Sequence, residues 1–385
     1  MHVALAALFC FAILTLWVPA YWPGTIFQVG VFTMAGVAIW RSRHRRFVPR
    51  LPYPVFPLLL AVVWGLLQWG TGKTVYSFDT QSAIVRWATF LVVFLVGFSL
   101  FRDPRISSWF RSAMLWFAFA VAVLATVQTF TSDKIFWLFS TPHSGVMGPI
   151  IYHSHYAAFI EVVLPIALYE AVRREKGRLL YAGMAAAMYA SVIASASRGG
   201  TVLTTAEVVV VLALLWARGI ASGRAVGASL LRMAVLFAVF TAVVGWEHVW
   251  DRFLMPDPMA SRREFAVASL HMIAANPWSG VGLGAWPTAY PRYAIVDIGL
   301  FAHQAHSDWL QWTAEGGIPF GIALATLFYW CVLPAVRSVW GLGVIAVFLH
   351  AAVDFPFSMP TLGAWSILII GMLAAREAVR DRTHG

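Results

Sequence analysis

Blocks of about 17–22 apolar residues alternate with polar segments along the chain, and about 20 such residues cross the hydrocarbon layer of a bilayer as a helix. Because that layer holds no water, the backbone groups of each block must bond within the block. The alternation typical of a membrane β-barrel is absent from the sequence. The pattern predicts an all-α polytopic membrane protein of about 12 transmembrane helices. The predicted spans are 3–20, 24–40, 54–70, 82–101, 111–130, 155–172, 179–196, 200–217, 228–247, 316–335, 339–356 and 359–375.

Basic residues cluster in alternate connections between these spans, at residues 41–46, 102–111, 173–178, 218–232 and from 376 onward. Cytoplasmic loops carry an excess of Lys and Arg, so this side and both termini are predicted to be cytoplasmic. A smaller set of basic residues falls on the opposite, outer side. These are Lys73, Lys134, Arg198, Arg252, Arg262, Arg263 and Arg292.

The composition agrees with a membrane protein, because 60% of the residues are hydrophobic and 11% are charged, against about 25% charged in soluble domains. The net charge of +10 does not indicate nucleic-acid binding, since the basic residues lie in short loops. Cys10 and Cys331 fall inside predicted spans and offer no disulfide framework. Walker, GxGxxG and HExxH motifs are absent, so nucleotide hydrolysis and zinc proteolysis have no support.

Residues 1–385 are predicted to form one integral membrane domain with two long outer connections, at 131–154 and 248–315. The second connection is the only stretch large enough for a small subdomain with short helices. It begins with a polar segment at 250–258.

A helix is predicted at 261–276 within the long connection, ended by Pro277 and followed by a flexible glycine turn at 280–284. One face of this helix suits an amphipathic helix lying on the bilayer. That face carries Arg262, Phe265, Ala266, Ser269 and Ile273.

Residues 302–320 concentrate titratable groups in an otherwise apolar chain, with His303, His306, Asp308 and Glu315 inside 13 residues. Apolar positions recur at helical spacing after His306, so a helix is predicted to begin there, capped by Ser307 or Asp308 and stopped at 316–317. A polar turn held against a membrane helix suits a reaction at the membrane surface. The alternative is a capped loop whose histidines only satisfy backbone groups.

Two arginines stand in unusual places. Arg198 lies between two spans with almost no loop, where it would either snorkel to lipid headgroups or bind a phosphate or pyrophosphate. Arg86 lies within a span, where it would face a polar interior or pair with Glu161, Glu207 or Asp354.

Further histidines lie in or at the start of apolar spans. His350 and Asp354 are four residues apart, on one face of a predicted helix, as a packing pair or as supports for the site. His153 and His155 open another span at a spacing that is not a recognised metal pair, so no metal site is predicted.

Several separated segments of the sequence carry distinctive motifs. They are a Ser-Arg-Gly turn at 197–200, an arginine, helix, Asn-Pro and glycine turn at 262–284, and His306-Ser307 with Gly317 eleven residues after the histidine. Together with the segments at 152–159 and 350–356, these motifs resemble those of the O-antigen ligase and polymerase family of bacterial glycan-assembly enzymes. The resemblance covers most of the chain from about residue 140 onward.

The resemblance implies metal-independent, inverting glycosyl transfer at the periplasmic face of the bacterial inner membrane, without a cofactor. A glycan would pass from undecaprenyl pyrophosphate to a hydroxyl of a glycan or lipid A-core acceptor. Arg198 and Arg262 would stabilise the leaving pyrophosphate, and His306 would orient or deprotonate the acceptor. Candidate substrate-binding residues are Arg263, Arg86, His153, His155, His303 and Asp308, with His350 and Asp354 supporting them.

Three activities within this family cannot be told apart from the sequence. They are those of an O-antigen or exopolysaccharide polymerase, a ligase and a protein oligosaccharyltransferase. A secondary transporter is the alternative from another class, since many spans and intramembrane charges suit it. No inverted repeat is visible, however, and the polar residues gather in an outer loop. A third interpretation is a scaffold subunit of an envelope machine.

Overall fold

The computed structural model describes residues 1–42, 51–141, 146–174, 176–244, 260–296, 299 and 301–384. These residues form helices and contain no β-strand, as predicted. The basic residues at 43–46, the polar segment at 250–258 and Arg252 lie outside the described residues.

Nine helices of the described residues lie before the long predicted outer connection. They are α1 His2–Leu14, α2 Trp22–Ser42, α3 Val55–Gly70, α4 Ser77–Leu100, α5 Pro104–Thr131, α6 His153–Arg173, α7 Arg178–Ala194, α8 Arg198–Ala217 and α9 Gly223–Val244.

The remaining helices follow residue 259. They are α10 Ala260–Ala275, α11 Trp286–Ala289, a 3₁₀ turn Tyr290–Arg292, α12 Asp308–Ser338, α13 Gly343–His350 and α14 Pro360–His384.

Seven helices in the described part of the chain are long and apolar enough to cross a membrane, namely α2, α4, α5, α6, α8, α12 and α14. Three more, α1, α3 and α7, are apolar but shorter. The chain is thus a multi-pass membrane protein by length and composition of its helices. The count of about 12 spans, the sidedness and the single domain stay predictions.

The chain divides into two compact units. The first comprises Met1–Gly30, Leu100–Met255 and Val332–His350. The second comprises Val31–Ser99, Pro256–Cys331 and Ala351–Gly385. Arg198, His153, His155 and His350 belong to the first unit.

In the first unit, α6 is almost entirely buried and packs against α5, α7, α8 and α13. The close approach of α6 and α8 depends on Gly200, because a Cβ there would lie 2.2 Å from the Cβ of Ala157. This glycine therefore sets the distance between the two helices.

In the second unit, α10 and the glycine turn build a small core around Phe265. The Phe265 cluster consists of Phe265, Ala268, Met272, Val281, Trp286, Ala289, Tyr290, Ala302, Ala305 and Ala314. Ser269 is buried as well, and its hydroxyl accepts a hydrogen bond from the indole of Trp286 at 2.9 Å. The predicted bilayer-facing surface of this helix thus packs on protein at Phe265 and Ser269.

Gly317 interrupts α12 with φ 78° and ψ 172°, which confirms the predicted stop at 316–317. A Cβ at Gly317 would lie 2.6 Å from the carbonyl of Trp278, and the N–H of Ile318 donates to the carbonyl of Pro277 at 2.7 Å. The break lets the chain after α10 pack directly on the backbone of α12.

Two predicted spans differ from the structure. The span at 3–20 ends early as a helix, because the chain turns after Leu14 and approaches Pro19, whose ring disfavours helix in the preceding residue. The span at 339–356 is helical only over Gly343–His350. Residues 351–359 form turns, so His350 and Asp354 do not share a helical face.

Candidate active site

His306 occupies a half-buried position between two aromatic rings of the second unit. Its imidazole stacks on Phe265, with ring centroids 5.6 Å apart and planes 9° from parallel. Phe355 meets it in a T-shaped arrangement, with centroids 4.8 Å apart. The Nδ1 atom is buried and has no hydrogen-bond partner in the part of the chain that the structure describes. Aromatic packing therefore orients the ring.

The backbone of His306 has a φ of 53°, a left-handed conformation that costs a non-glycine residue about 1–2 kcal/mol. Helix α12 begins two residues later, at Asp308, as predicted. The hydroxyl of Ser307 accepts a hydrogen bond from the N–H of Leu310 at 3.3 Å, so Ser307 caps the helix. The histidine thus lies directly before a fixed helix start.

Asp308 ties this helix start to the turn between α13 and α14. Its carboxylate is buried and accepts hydrogen bonds from the N–H of Phe357 at 2.8 Å and the hydroxyl of Ser358 at 2.7 Å. The N–H of Asp308 donates to the carbonyl of Asp354 at 3.1 Å. These bonds hold the turn against the His306 loop, and substrate binding by Asp308 stays a prediction.

Arg262 and Asp354 form an ion pair next to His306, with Nη2 3.4 Å from Oδ2. Burial lowers the pKa of His306 from its usual 6.5, the carboxylate of Asp354 acts to raise it, and the guanidinium of Arg262 acts to lower it. Because burial wins, the neutral imidazole predominates at pH 7. The ring can therefore accept a proton.

The glycine turn at 280–284 packs against α12 at Glu315, just before the break at Gly317. The N–H of Gly282 donates to the carbonyl of Glu315 at 3.0 Å, and the N–H of Gly284 donates to its carboxylate at 2.9 Å. Gly280 has a φ of 67°, and a Cβ there would lie 2.2 Å from the same carbonyl oxygen. Only glycine fits this contact.

Arg86 lies on α4 in the second unit, where its charge acts on the carboxylates of Asp308 and Glu315. These two acids differ from the partners considered from the sequence. Nearby acids of this kind lower the cost of an arginine within an apolar helix.

Arg198 is the exposed first residue of α8, in the first unit. The hydroxyl of Ser197 accepts a hydrogen bond from the N–H of Gly200 at 3.2 Å and caps the helix. Only a short turn separates α7 from α8, as predicted. The role of Arg198 in stabilising a leaving pyrophosphate stays a prediction.

The remaining candidates fall into two groups. His153 is half-buried at the start of α6, and His155 is buried two residues further on, with its ring 5.2 Å from that of Tyr152. His303 and Arg263 are exposed in the second unit. In the described ranges, no three His, Cys, Asp or Glu side chains form a group that could hold a metal ion.

The sequence model of the O-antigen ligase family matches residues 183–325, which include Arg198, Arg262 and His306. Residues 183–325 belong to the O-antigen ligase family. The predicted resemblance is therefore confirmed, and it indicates glycan transfer in O-antigen biosynthesis. No curated protein is similar enough to the chain to count as a match.

Two glutamines of the second unit, absent from the predictions, hold the candidate site together. Gln68 donates to the carbonyl of Glu315 at 2.9 Å and accepts from the N–H of Leu283 at 3.0 Å. Gln311 donates to the carboxylate of Glu315 at 2.9 Å and accepts from the N–H of Ala305 at 3.0 Å. The spacing of four residues between Gln311 and Glu315 was a signal for this pair.

Proposed function

We propose that the protein transfers a glycan from an undecaprenyl-pyrophosphate carrier to a hydroxyl of a glycan or lipid A-core acceptor. The observation that carries this proposal is the environment of His306 within the segment matched by the O-antigen ligase family. The imidazole is oriented by two aromatic rings, has a lowered pKa and lies beside the Arg262–Asp354 pair.

His306 acts on the acceptor in this proposal. A general base works best when its pKa lies near the working pH and its proton-accepting form is present. The neutral imidazole of His306 takes the proton of the acceptor hydroxyl as the oxygen attacks the anomeric carbon. Asp354 stabilises the imidazolium that forms, because its nearly buried carboxylate acts on this ring.

Arg262 acts on the leaving group. A guanidinium has five N–H donors, and the described contact with Asp354 engages only Nη2. Its side chain is 30% exposed, so the other donors can reach a phosphate. Arg198 supplies a second guanidinium from a helix start, a position whose backbone dipole also favours an anion.

The chemistry balances without a further reactant. A bond forms between the acceptor oxygen and the anomeric carbon, while the bond from that carbon to the phosphate oxygen breaks. The bond electrons leave with undecaprenyl pyrophosphate, and the hydroxyl proton goes to His306. Attack from the face opposite the leaving group inverts the anomeric configuration. We place this reaction on the periplasmic face of the bacterial inner membrane, with no metal ion.

The test is transfer by the purified full chain in nanodiscs, supplied with lipid-linked glycan and acceptor. We expect His306→Ala to lower the rate at least about 100-fold, the usual contribution of a general base. His271→Ala, which removes an exposed histidine of α10, is the matched control and should keep the wild-type rate. Near-normal transfer by His306→Ala would refute the assignment.

Glycan analysis of a deletion strain complemented with wild type or His306→Ala distinguishes the polymerase and ligase activities of the family. Single repeat units on the lipid A-core in the variant strain would mean a polymerase, whereas full-length chains left on the carrier would mean a ligase. An unchanged surface glycan in both strains would favour the transporter or scaffold interpretation.

A further inference from the structure

A cleft of about 410 Å³ opens in the second unit between the end of α3 and the segment after α10. This volume lies in the range of about 300–1,000 Å³ that small-molecule pockets occupy. Its polar lining includes Lys73, Thr74, Asn276, Thr288, Arg292 and Tyr293. The mechanism above uses none of these side chains.

Two positive charges dominate the lining. Lys73 and Arg292 are exposed, and neither side chain makes an ion pair or hydrogen bond within the described residues. The carboxylate of Asp79 reaches the rim, where it accepts a hydrogen bond from Thr288 at 2.7 Å. Two cations against one carboxylate leave the cleft net positive, so it favours an anion.

The other polar groups suit sugar hydroxyls. The amide of Asn276 donates to the phenol oxygen of Tyr293 at 3.1 Å, which leaves the amide oxygen as an acceptor and the phenol hydrogen as a donor. The hydroxyl of Thr288 donates to Asp79 and so presents its lone pairs to the cleft. Donors and acceptors therefore alternate beside the cations.

The cleft is built on fixed backbone. The N–H of Val75 donates to the carbonyl of Val281 at 2.9 Å, and a Cβ at Gly282 would lie 2.2 Å from the hydroxyl of Thr74. Val281 and Ala289 line the cleft and also belong to the Phe265 cluster, whose Phe265 ring stacks on His306. One small core thus supports both the cleft and the candidate catalytic histidine.

We propose that this cleft binds an acidic sugar of the glycan, with its carboxylate or phosphate between Lys73 and Arg292 and its hydroxyls on Asn276, Tyr293 and Thr288. The proposal rests on the proposed glycan transfer and names the class of sugar. A free phosphate or a lipid headgroup shares the anionic chemistry but lacks the ring hydroxyls.

The test measures binding without turnover, on the full chain in phosphatidylcholine nanodiscs. Saturation-transfer NMR compares methyl glucuronide with methyl glucoside, which differ only in the charged group. We expect binding of the glucuronide to be about ten-fold tighter, the factor that 1.4 kcal/mol gives. The double variant Lys73→Gln/Arg292→Gln should abolish that preference.

A matched double variant removes the same charges elsewhere. Lys134→Gln/Arg105→Gln changes two exposed residues of the first unit and should keep the glucuronide preference. Equal binding of the two sugars, or a preference that survives Lys73→Gln/Arg292→Gln, would overturn the proposal. Inorganic phosphate that binds as tightly as the glucuronide would overturn the sugar part.

A second arm adds phosphatidylglycerol to the nanodiscs. Unchanged glucuronide binding is expected, and its loss would identify a lipid headgroup as the occupant instead. His306→Ala should bind the glucuronide like wild type while losing transfer. The failure of the cleft assignment and the failure of the proposed function therefore give different results.

Discussion

The Nδ1 atom of His350 lies 2.8 Å from Oε1 of Glu161, with both side chains buried in the first unit. Sequence spacing paired His350 with Asp354 instead. Because α13 ends at His350, Asp354 lies in a turn of the second unit and pairs with Arg262. His350 and Asp354 thus have different partners.

Glu207 of α8 is buried within electrostatic reach of Glu161. Neither of its carboxylate oxygens has a hydrogen-bond partner in the described part of the chain. Replacing Glu161 by Ala should lower the free energy of unfolding by about 3–5 kcal/mol, because it breaks the buried contact between the Glu161 carboxylate and the His350 imidazole. Glu207→Gln should be neutral or stabilising, since a buried carboxylate without a partner is costly. Denaturant unfolding in detergent measures both, and equal losses would contradict this difference.

The pH dependence of transfer should follow His306. Its pKa is lowered by burial, so the neutral base is present above a midpoint that lies below 6.5. The transfer rate is expected to fall as the pH drops through that midpoint. A rate profile without an acid limb, measured on folded protein, would argue against His306 as the base.

The two charges near His306 should move this midpoint in opposite directions. Arg262→Gln removes a charge that lowers the pKa of His306, so the midpoint should rise. Asp354→Asn removes a charge that raises it, so the midpoint should fall. The pH–rate profile of each variant checks the direction separately from the loss of rate. Shifts of the same sign would contradict the placement of these charges.

Asp308 should matter for stability as much as for activity. Asp308→Ala leaves the N–H of Phe357 without its acceptor, which costs about 1–3 kcal/mol for a buried donor. Ser358→Ala loses one of the same bonds and should cost only about 0.5–1.5 kcal/mol. Denaturant unfolding of both variants shows which one loses more stability. Wild-type stability of Asp308→Ala would contradict the structural role of Asp308.

Gly280 and Gly72 allow a matched test of close packing. Both have a φ of 67°, but a Cβ at Gly280 would meet the carbonyl of Glu315 at 2.2 Å, whereas Gly72 faces open space. Gly72→Ala should cost about 1–2 kcal/mol through its backbone conformation alone. Gly280→Ala should cost more, because the turn must separate from α12. Thermal unfolding of the two variants measures this difference. Equal shifts in Tm would argue against the close contact between Gly280 and Glu315.

Local chemistry made much of this fold predictable. Long apolar runs must be helices where no water reaches the backbone, and a serine cap or a glycine break follows from nearby residues, as at Ser307 and Gly317. Motifs also made His306 and Arg262 candidates, and the structure brings their side chains near one another in the second unit.

The remaining features depend on tertiary partners. The predicted span at 339–356 continues past His350, but buried Asp308 accepts hydrogen bonds from the N–H of Phe357 and the hydroxyl of Ser358 and so stabilises a turn there. The face of α10 that carries Phe265 and Ser269 was predicted to lie on the bilayer. Trp286 packs on this face instead. Periodicity cannot tell which surface covers a helix face, and it cannot reveal a partner such as Glu161 for His350.

The network through Gln68, Gln311 and Glu315 has a consequence for genetics. A screen for strains that lose surface glycan would return substitutions at these positions alongside those at His306. Such a map would outline a patch much wider than the reaction centre, with buried acids and amides resembling catalytic groups. Measuring the amount of folded protein in the membrane for each allele would distinguish residues that hold the site together from residues that take part in the reaction.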